Sequence, residues 1–238
     1  MLGIIVQIIV SWIILRIFVK KDLTALGIKP FGSRSLQFLI GFMFTAFLCA
    51  SIQMIDAFLT NTNWEVSSKL TFIEGLNAFW LNVKGVLFEE LIFRGALLVI
   101  IIHKFGAKIG ILISGVAFGI YHWFSYGVLG DIGSMTVIFF ITAMSGLVWA
   151  YAFSKTKSIA LPIGLHLGWN FTINSIFSKG PWGEQILVPD KVEFVSNPIL
   201  NLVVYFVLPF VVVPILTWLL IRLWGGRKIK FHTTQITK

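Results

Sequence analysis

Glu89 and Glu90 stand side by side, and Arg94 follows the second by four residues, within the otherwise apolar run Phe88-Glu89-Glu90-Leu91-Ile92-Phe93-Arg94-Gly95. An ionised side chain at mid-bilayer depth costs between about 3 and more than 10 kcal/mol, so such residues must face protein or water and are functional candidates by default. Glu90 and Arg94 have the i, i+4 spacing that shares a helix face, so they can pair within the segment. Glu89 lies about 100° away around the same helix and cannot share that partner equally. The spacing separates roles: the arginine can hold Glu90 ionised and fixed, while Glu89 points elsewhere, free to titrate. An ion pair that merely locks helix packing is the plainer account of Glu90 and Arg94, but it leaves Glu89 unexplained.

Two further places carry polar side chains in apolar surroundings. His122 closes Phe118-Gly119-Ile120-Tyr121-His122, and His166 opens His166-Leu167-Gly168-Trp169-Asn170. His166 and Asn170 present two hydrogen-bonding groups one turn apart on one face, and Asn174 continues the stripe. A histidine satisfied by local hydrogen bonds accounts equally well for His122. Polar glue between helices is the corresponding plain account of His166 and Asn170, and the preferred one for Asn174. Asp56 and Lys84 lie toward span ends, where both can reach the interface.

These residues must be positioned by membrane helices. Of 238 residues, 57% are hydrophobic and 12% charged, and the mean hydropathy is +0.91, whereas soluble domains carry about 25% charged residues. The apolar residues fall in blocks near the roughly 20 needed to span hydrocarbon. The expected architecture is an all-α, polytopic transmembrane bundle forming a single domain, 1–238. It has about seven spans (six to eight): 2–19, 36–59, 78–102, 109–126, 133–153, 159–177 and 199–224. Met1–Val19 has no basic n-region and no small-residue cleavage site, so it reads as a retained span. Pro30 to Ser35 reads as a turn, and Pro209 and Pro214 should kink the last span.

The net charge of +9 does not point to nucleic acid, because its distribution fits the positive-inside rule. Arg16, Lys20, Lys21, Lys29 and Arg34 surround the first loop. Lys104 and Lys108, then Lys155 and Lys157, mark the next two on that side, and Arg222, Arg227, Lys228, Lys230 and Lys238 mark the C-terminal end. The opposite loops hold Lys69, Lys179 and Lys191 among six acidic residues. The N-terminus is therefore expected outside and the C-terminus inside. Cys49 is the only cysteine, which excludes an intramolecular disulfide or a cysteine metal cluster.

At about 1.5 Å of rise per residue, Glu90 lies about 18 Å from the inner end of its span and His122 about 20 Å from that of its own, with His166 about 10–12 Å in. Three helices can thus bring two glutamates, two histidines and an asparagine to one zone inside the membrane.

Glu89-Glu90-x-x-x-Arg94, Phe118-x-x-x-His122 and His166-x-x-x-Asn170 resemble, in order and on separate apolar spans, the three motifs of the CPBP intramembrane protease family. That family includes the CAAX-prenyl endopeptidases and the bacterial Abi proteins linked to bacteriocin immunity. Leu26-Gly27-Ile28 with Pro30 also resembles bacterial members. The resemblance implies that Glu89 is a general base acting with His122 to activate a water against a peptide carbonyl. It implies that His166 and Asn170 bind the developing oxyanion, and that Glu90 and Arg94 organise the site. A buried base and water-excluded oxyanion donors suit that chemistry independently.

The family was named for a metalloprotease mechanism, and Glu/His sets can ligate zinc. The chain has no His-Glu-x-x-His, so no cofactor is favoured and zinc stands as the alternative. The function expected is hydrolysis of a peptide bond in a membrane-associated peptide or protein, by a membrane-embedded endopeptidase. Its partners would be a peptide or membrane-protein substrate and the lipid bilayer, without nucleic acid, and its location a bacterial cytoplasmic membrane. Two other readings compete. An ion-coupled transporter would use the same buried groups as a proton relay, though no internal repeat supports it. A non-catalytic immunity or scaffold protein would retain the fold alone.

Overall fold

The computed structural model describes residues 2–224; Arg227, Lys228, Lys230 and Lys238 of the charge pattern lie outside the described residues. Helix α1 (Leu2–Val19) leads through a 3₁₀ turn (Leu23–Leu26) to α2 (Phe31–Thr60). A short strand β1 (Trp64–Val66) precedes α3 (Phe72–Phe93), which is followed by α4 (Ala96–Phe105), α5 (Ala107–Ser125) and α6 (Ile132–Thr156). Helix α7 (Ala160–Phe171) runs on as a π-helical stretch, Thr172–Ile176. Strand β2 (Leu187–Pro189) then pairs antiparallel with β1, Glu65 opposite Val188. Helix α8 (Pro198–Leu202), a π-helical stretch (Val203–Val212) and α9 (Val213–Trp224) complete the described chain. The architecture is the all-α bundle expected, with one two-stranded ribbon added.

Three starts are written into the sequence. Thr71 and Glu74 form a reciprocal capping box at the head of α3, which satisfies two orphan backbone donors. Asp131 caps α6 through the Gly133 and Ser134 amides. Asn197 caps α8, with Pro198 in its first turn.

Five stretches are long and apolar enough to cross a membrane: Leu2–Val19, Leu23–Thr60, Ala107–Ser125, Ile132–Thr156 and Pro198–Leu223. Their outward residues are apolar, among them Leu2, Ile17, Phe47, Phe58, Leu112 and Phe140, each at least half exposed. Helices α3 and α7, which carry Glu89, Glu90, His166 and Asn170, are not among the five. The first holds Glu74, Lys84, Glu89 and Glu90, and the second is 12 residues long. Helix α7 packs against α2, α3 and α6, with Leu161, Leu165, His166 and Leu167 buried.

The contact between α2 and α7 is unusually close. A Cβ at Gly164 would lie 2.2 Å from the Phe38 carbonyl oxygen, and one at Gly168 would lie 2.2 Å from that of Phe42. Thr45 Oγ1 also donates to the Leu165 carbonyl across the seam, at 2.7 Å. Small residues four apart let helix backbones approach in this way.

The structure departs from the expected spans in two places, and it adjusts the winding of the last one. The span expected over 78–102 is two helices, because the chain leaves the helical region at Arg94 (φ −121°, ψ 6°) and Gly95 (φ −83°, ψ −142°). A Cβ at Gly95 would lie 1.9 Å from the Leu91 carbonyl oxygen, so only glycine fits that bend. Ser114 of α5 donates to the freed Phe93 carbonyl at 2.8 Å, satisfying one orphan acceptor. Residues 31–35, expected in a turn, form the opening of α2, since Pro30 sits just ahead of the helix with extended dihedrals. Around Pro209 the backbone winds as a π-helix, an adjustment that absorbs an internal proline in a membrane helix.

Candidate active site

The bend after α3 decides where the charged residues go. Arg94 and Glu90 are both fully buried, with Arg94 Nη1 donating to Glu90 Oε1 at 3.0 Å. Arg94 Nη2 donates to the Gly146 carbonyl of α6 at 3.3 Å. The guanidinium lies 4.3 Å from the Phe118 ring centroid and 5.2 Å from that of Trp149. Two hydrogen bonds and two aromatic faces together hold a charge that burial alone would expel.

Glu90 Oε1 also accepts from His166 Nδ1 at 2.9 Å. That proton fixes the ring's orientation and leaves Nε2 pointing onward, as a carboxylate does for a functional histidine. Asn170 Nδ2 lies 3.1 Å from His166 Nε2, and Glu89 Oε2 lies 3.7 Å from the same nitrogen. Trp149 stacks on the imidazole, with centroids 4.0 Å apart and planes 23° from parallel. On α5, His122 Nδ1 meets the Phe118 carbonyl at 2.8 Å. Donation to that carbonyl leaves His122 Nε2 with its lone pair available.

Glu89, His122, His166 and Asn170 line one cavity of about 1010 Å³, whose wall also includes Asn82, Phe118, Trp149 and Asn174. Glu90 and Arg94 lie behind that wall. The six residues of the three motifs therefore form one cluster, with Glu89 on the cavity and Glu90 behind its wall. The cluster offers a carboxylate and an imidazole nitrogen able to take a proton, beside amide donors, in a site walled by aromatic rings. That set can activate water and stabilise a developing negative charge.

Asp56 lies one turn from the end of α2 and is 4% exposed; Lys179 pairs with it and the Tyr205 hydroxyl donates to it. This second polar group sits on the same cavity, near the β1–β2 ribbon. Asn174 supplies the helix-to-helix bond expected of it, with Nδ2 donating to Asn82 Oδ1 at 3.2 Å. Trp149, Asn82, Lys179 and Tyr205 were not singled out by spacing. Asn82 carried a usable signal, lying two helical turns before Glu89 on the same face, whereas the other three meet the site only through tertiary packing.

Residues 71–172 match the family model described as "Type II CAAX prenyl endopeptidase Rce1-like". The match supports the CPBP/CAAX protease family. It spans less than half of the 238 residues but contains the whole cluster from Glu89 to Asn170. At the general level it supports a CAAX-type membrane endopeptidase, hence a hydrolase, and with the apolar helices it supports an integral membrane protein. No curated protein and no solved structure matches the chain.

Proposed function

We propose that the chain hydrolyses a peptide bond in a membrane-associated peptide or protein, using water activated by Glu89 together with His122 and without a metal. The observation that carries this reading is the division of the glutamate pair: Glu90 is hydrogen-bonded to Arg94 and His166, while Glu89 faces the cavity with no hydrogen bond among the described residues, 3.7 Å from His166 Nε2.

In this scheme a water between Glu89 and His122 gives a proton to the Glu89 carboxylate as its oxygen attacks the carbonyl carbon. The C=O electron pair moves onto oxygen, and the Asn170 amide donates to that oxyanion. His166 adds a second donor only when Nε2 is protonated, because its Nδ1 proton is held by Glu90. Collapse breaks the C–N bond, and the leaving nitrogen takes the proton back from Glu89. One water is consumed, and an acid and an amine are released. Glu90 and Arg94 keep His166 aimed, and the aromatic walls exclude bulk water, which strengthens every dipole in the site.

Zinc is the competing chemistry. A catalytic zinc takes three protein ligands and keeps one open position. Among the described residues no three His, Cys, Asp or Glu side chains converge as such a set, and Glu90 is already engaged. The compact chain with short loops fits a bacterial cytoplasmic membrane.

The test is cleavage of a quenched fluorescent peptide panel by detergent-purified protein, with a chelator present throughout. Wild type should cleave, and His122→Ala should fall by about 10²-fold or more. Activity lost to the chelator and restored by zinc would overturn the metal-free mechanism, and undiminished cleavage by His122→Ala would remove the histidine from it.

A further inference from the structure

The cavity is larger than the reacting groups require. Its volume of about 1010 Å³ is at the upper end of the range for sites that enclose a drug-sized ligand, and it continues past Asn170 toward the β1–β2 ribbon. Along that extension α3 contributes Asn82, and the π-helical stretch after α7 contributes Asn174.

Asn82 is 1% exposed and its amide is fully occupied. Its Nδ2 donates to the Ala78 carbonyl at 2.9 Å and to Ser175 Oγ at 2.8 Å, and its Oδ1 accepts from Asn174. Asn174 is different, since it spends one of its two Nδ2 hydrogens on Asn82, and neither the other hydrogen nor Oδ1 has a partner among the described residues. It is therefore a side-chain amide clamped from behind, with one donor and one acceptor left over on a cavity wall. A peptide group carries the same complement.

The spacing adds a second observation. Asn170 and Asn174 are four residues apart, at most about 6 Å along the axis, because the π-helical stretch that carries Asn174 rises less per residue than an α-helix. Alternate residues of an extended strand are about 7 Å apart. A chain laid along α7, with its scissile carbonyl at Asn170, brings the peptide group of a residue two positions away to Asn174. Pairing through main-chain groups would give affinity without demanding particular side chains, as strand addition does at a sheet edge.

We infer that Asn174, held by Asn82, which Ser175 anchors in turn, binds the backbone of an extended peptide substrate and sets its register relative to Glu89. This rests on the endopeptidase reading above. Gly180 belongs to the same device: a Cβ there would lie 2.4 Å from Asn174 Oδ1, so any larger residue must displace the amide.

The test uses the best-cleaved decapeptide of the fluorescent panel and a set of its analogues, each with one backbone amide replaced by an ester. Asn174→Ala should raise KM about tenfold with kcat within twofold, the pattern of a lost uniform binding contact. Gly180→Ala should move KM in the same direction. The ester scan separates binding from mere packing. A single ester position, displaced from the scissile bond, should raise the wild-type KM to the Asn174→Ala level and leave the variant's KM unmoved. If wild type cleaves but Asn174→Ala leaves KM unchanged, or the gap between the two is the same at every ester position, this inference alone falls. If wild type neither binds nor cleaves any peptide, the endopeptidase reading falls and takes this one with it.

Discussion

Arg94 is buried completely, yet it touches nothing that a sequence pattern could have named except Glu90. The i, i+4 pair was legible because helical spacing alone places those two side chains together. The rest of its environment, Gly146, Phe118 and Trp149, comes from α5 and α6, and no local spacing encodes a contact between helices. The same limit applies to His166: its spacing from Asn170 was readable, but its bond to Glu90 and its stack on Trp149 depend on the packing of α7 against α3 and α6. The energetics at this scale make a direct prediction. Arg94→Leu leaves the fully buried Glu90 carboxyl without its arginine partner, and breaking a buried pair from one side costs about 3–5 kcal/mol. Thermal unfolding in detergent should show a loss of that order, and Glu90→Gln with Arg94→Leu together should recover part of it. A single Arg94→Leu variant as stable as wild type would mean that the pair contributes nothing to the fold.

Helix positions were mostly readable from hydropathy, whereas helix interruptions were not. The α3–α4 bend falls inside an apolar run that looks continuous, and only Gly95 marks it in the sequence. The bend matters to the site because Arg94, the last residue before it, turns inward toward Glu90 and α6. The β1–β2 ribbon was invisible for another reason: each strand is three residues long, too short to show alternation. It is clasped by Asp190, which accepts from both the backbone and the side chain of Asn63 at 2.9 Å. The seam between α2 and α7 gives the prediction at this scale. Gly164→Ala forces a methyl group toward the Phe38 carbonyl, and overpacking of that kind costs about 1–3 kcal/mol. Unfolding midpoints should fall accordingly, and activity should fall too if the helices separate enough to move His166. An unaltered midpoint would show that the seam yields without cost.

For the whole molecule, composition and block length were enough to expect a membrane bundle, because lipid imposes its constraint on every outward residue at once. The family match covers the cluster but not α1, α2 or the chain beyond Thr172. Those parts nevertheless build much of the cavity, contributing Gln53, Asp56, Asn174, Lys179 and Tyr205 to its wall. The proposed reacting groups thus lie in the family-like segment. The space that would receive a substrate is shaped largely by what surrounds it, which is why the candidate cluster was easier to anticipate than the cavity around it.

The central claim is that Glu89, and not its neighbour, takes the proton from water. Its most direct test is the single-turnover cleavage rate of Glu89→Gln against wild type, in chelator, with folding verified by an unchanged melting profile. The isosteric amide keeps the shape and removes the base, so the rate should fall by about 10²–10⁴-fold. Cleavage by Glu89→Gln at the wild-type rate would contradict the account.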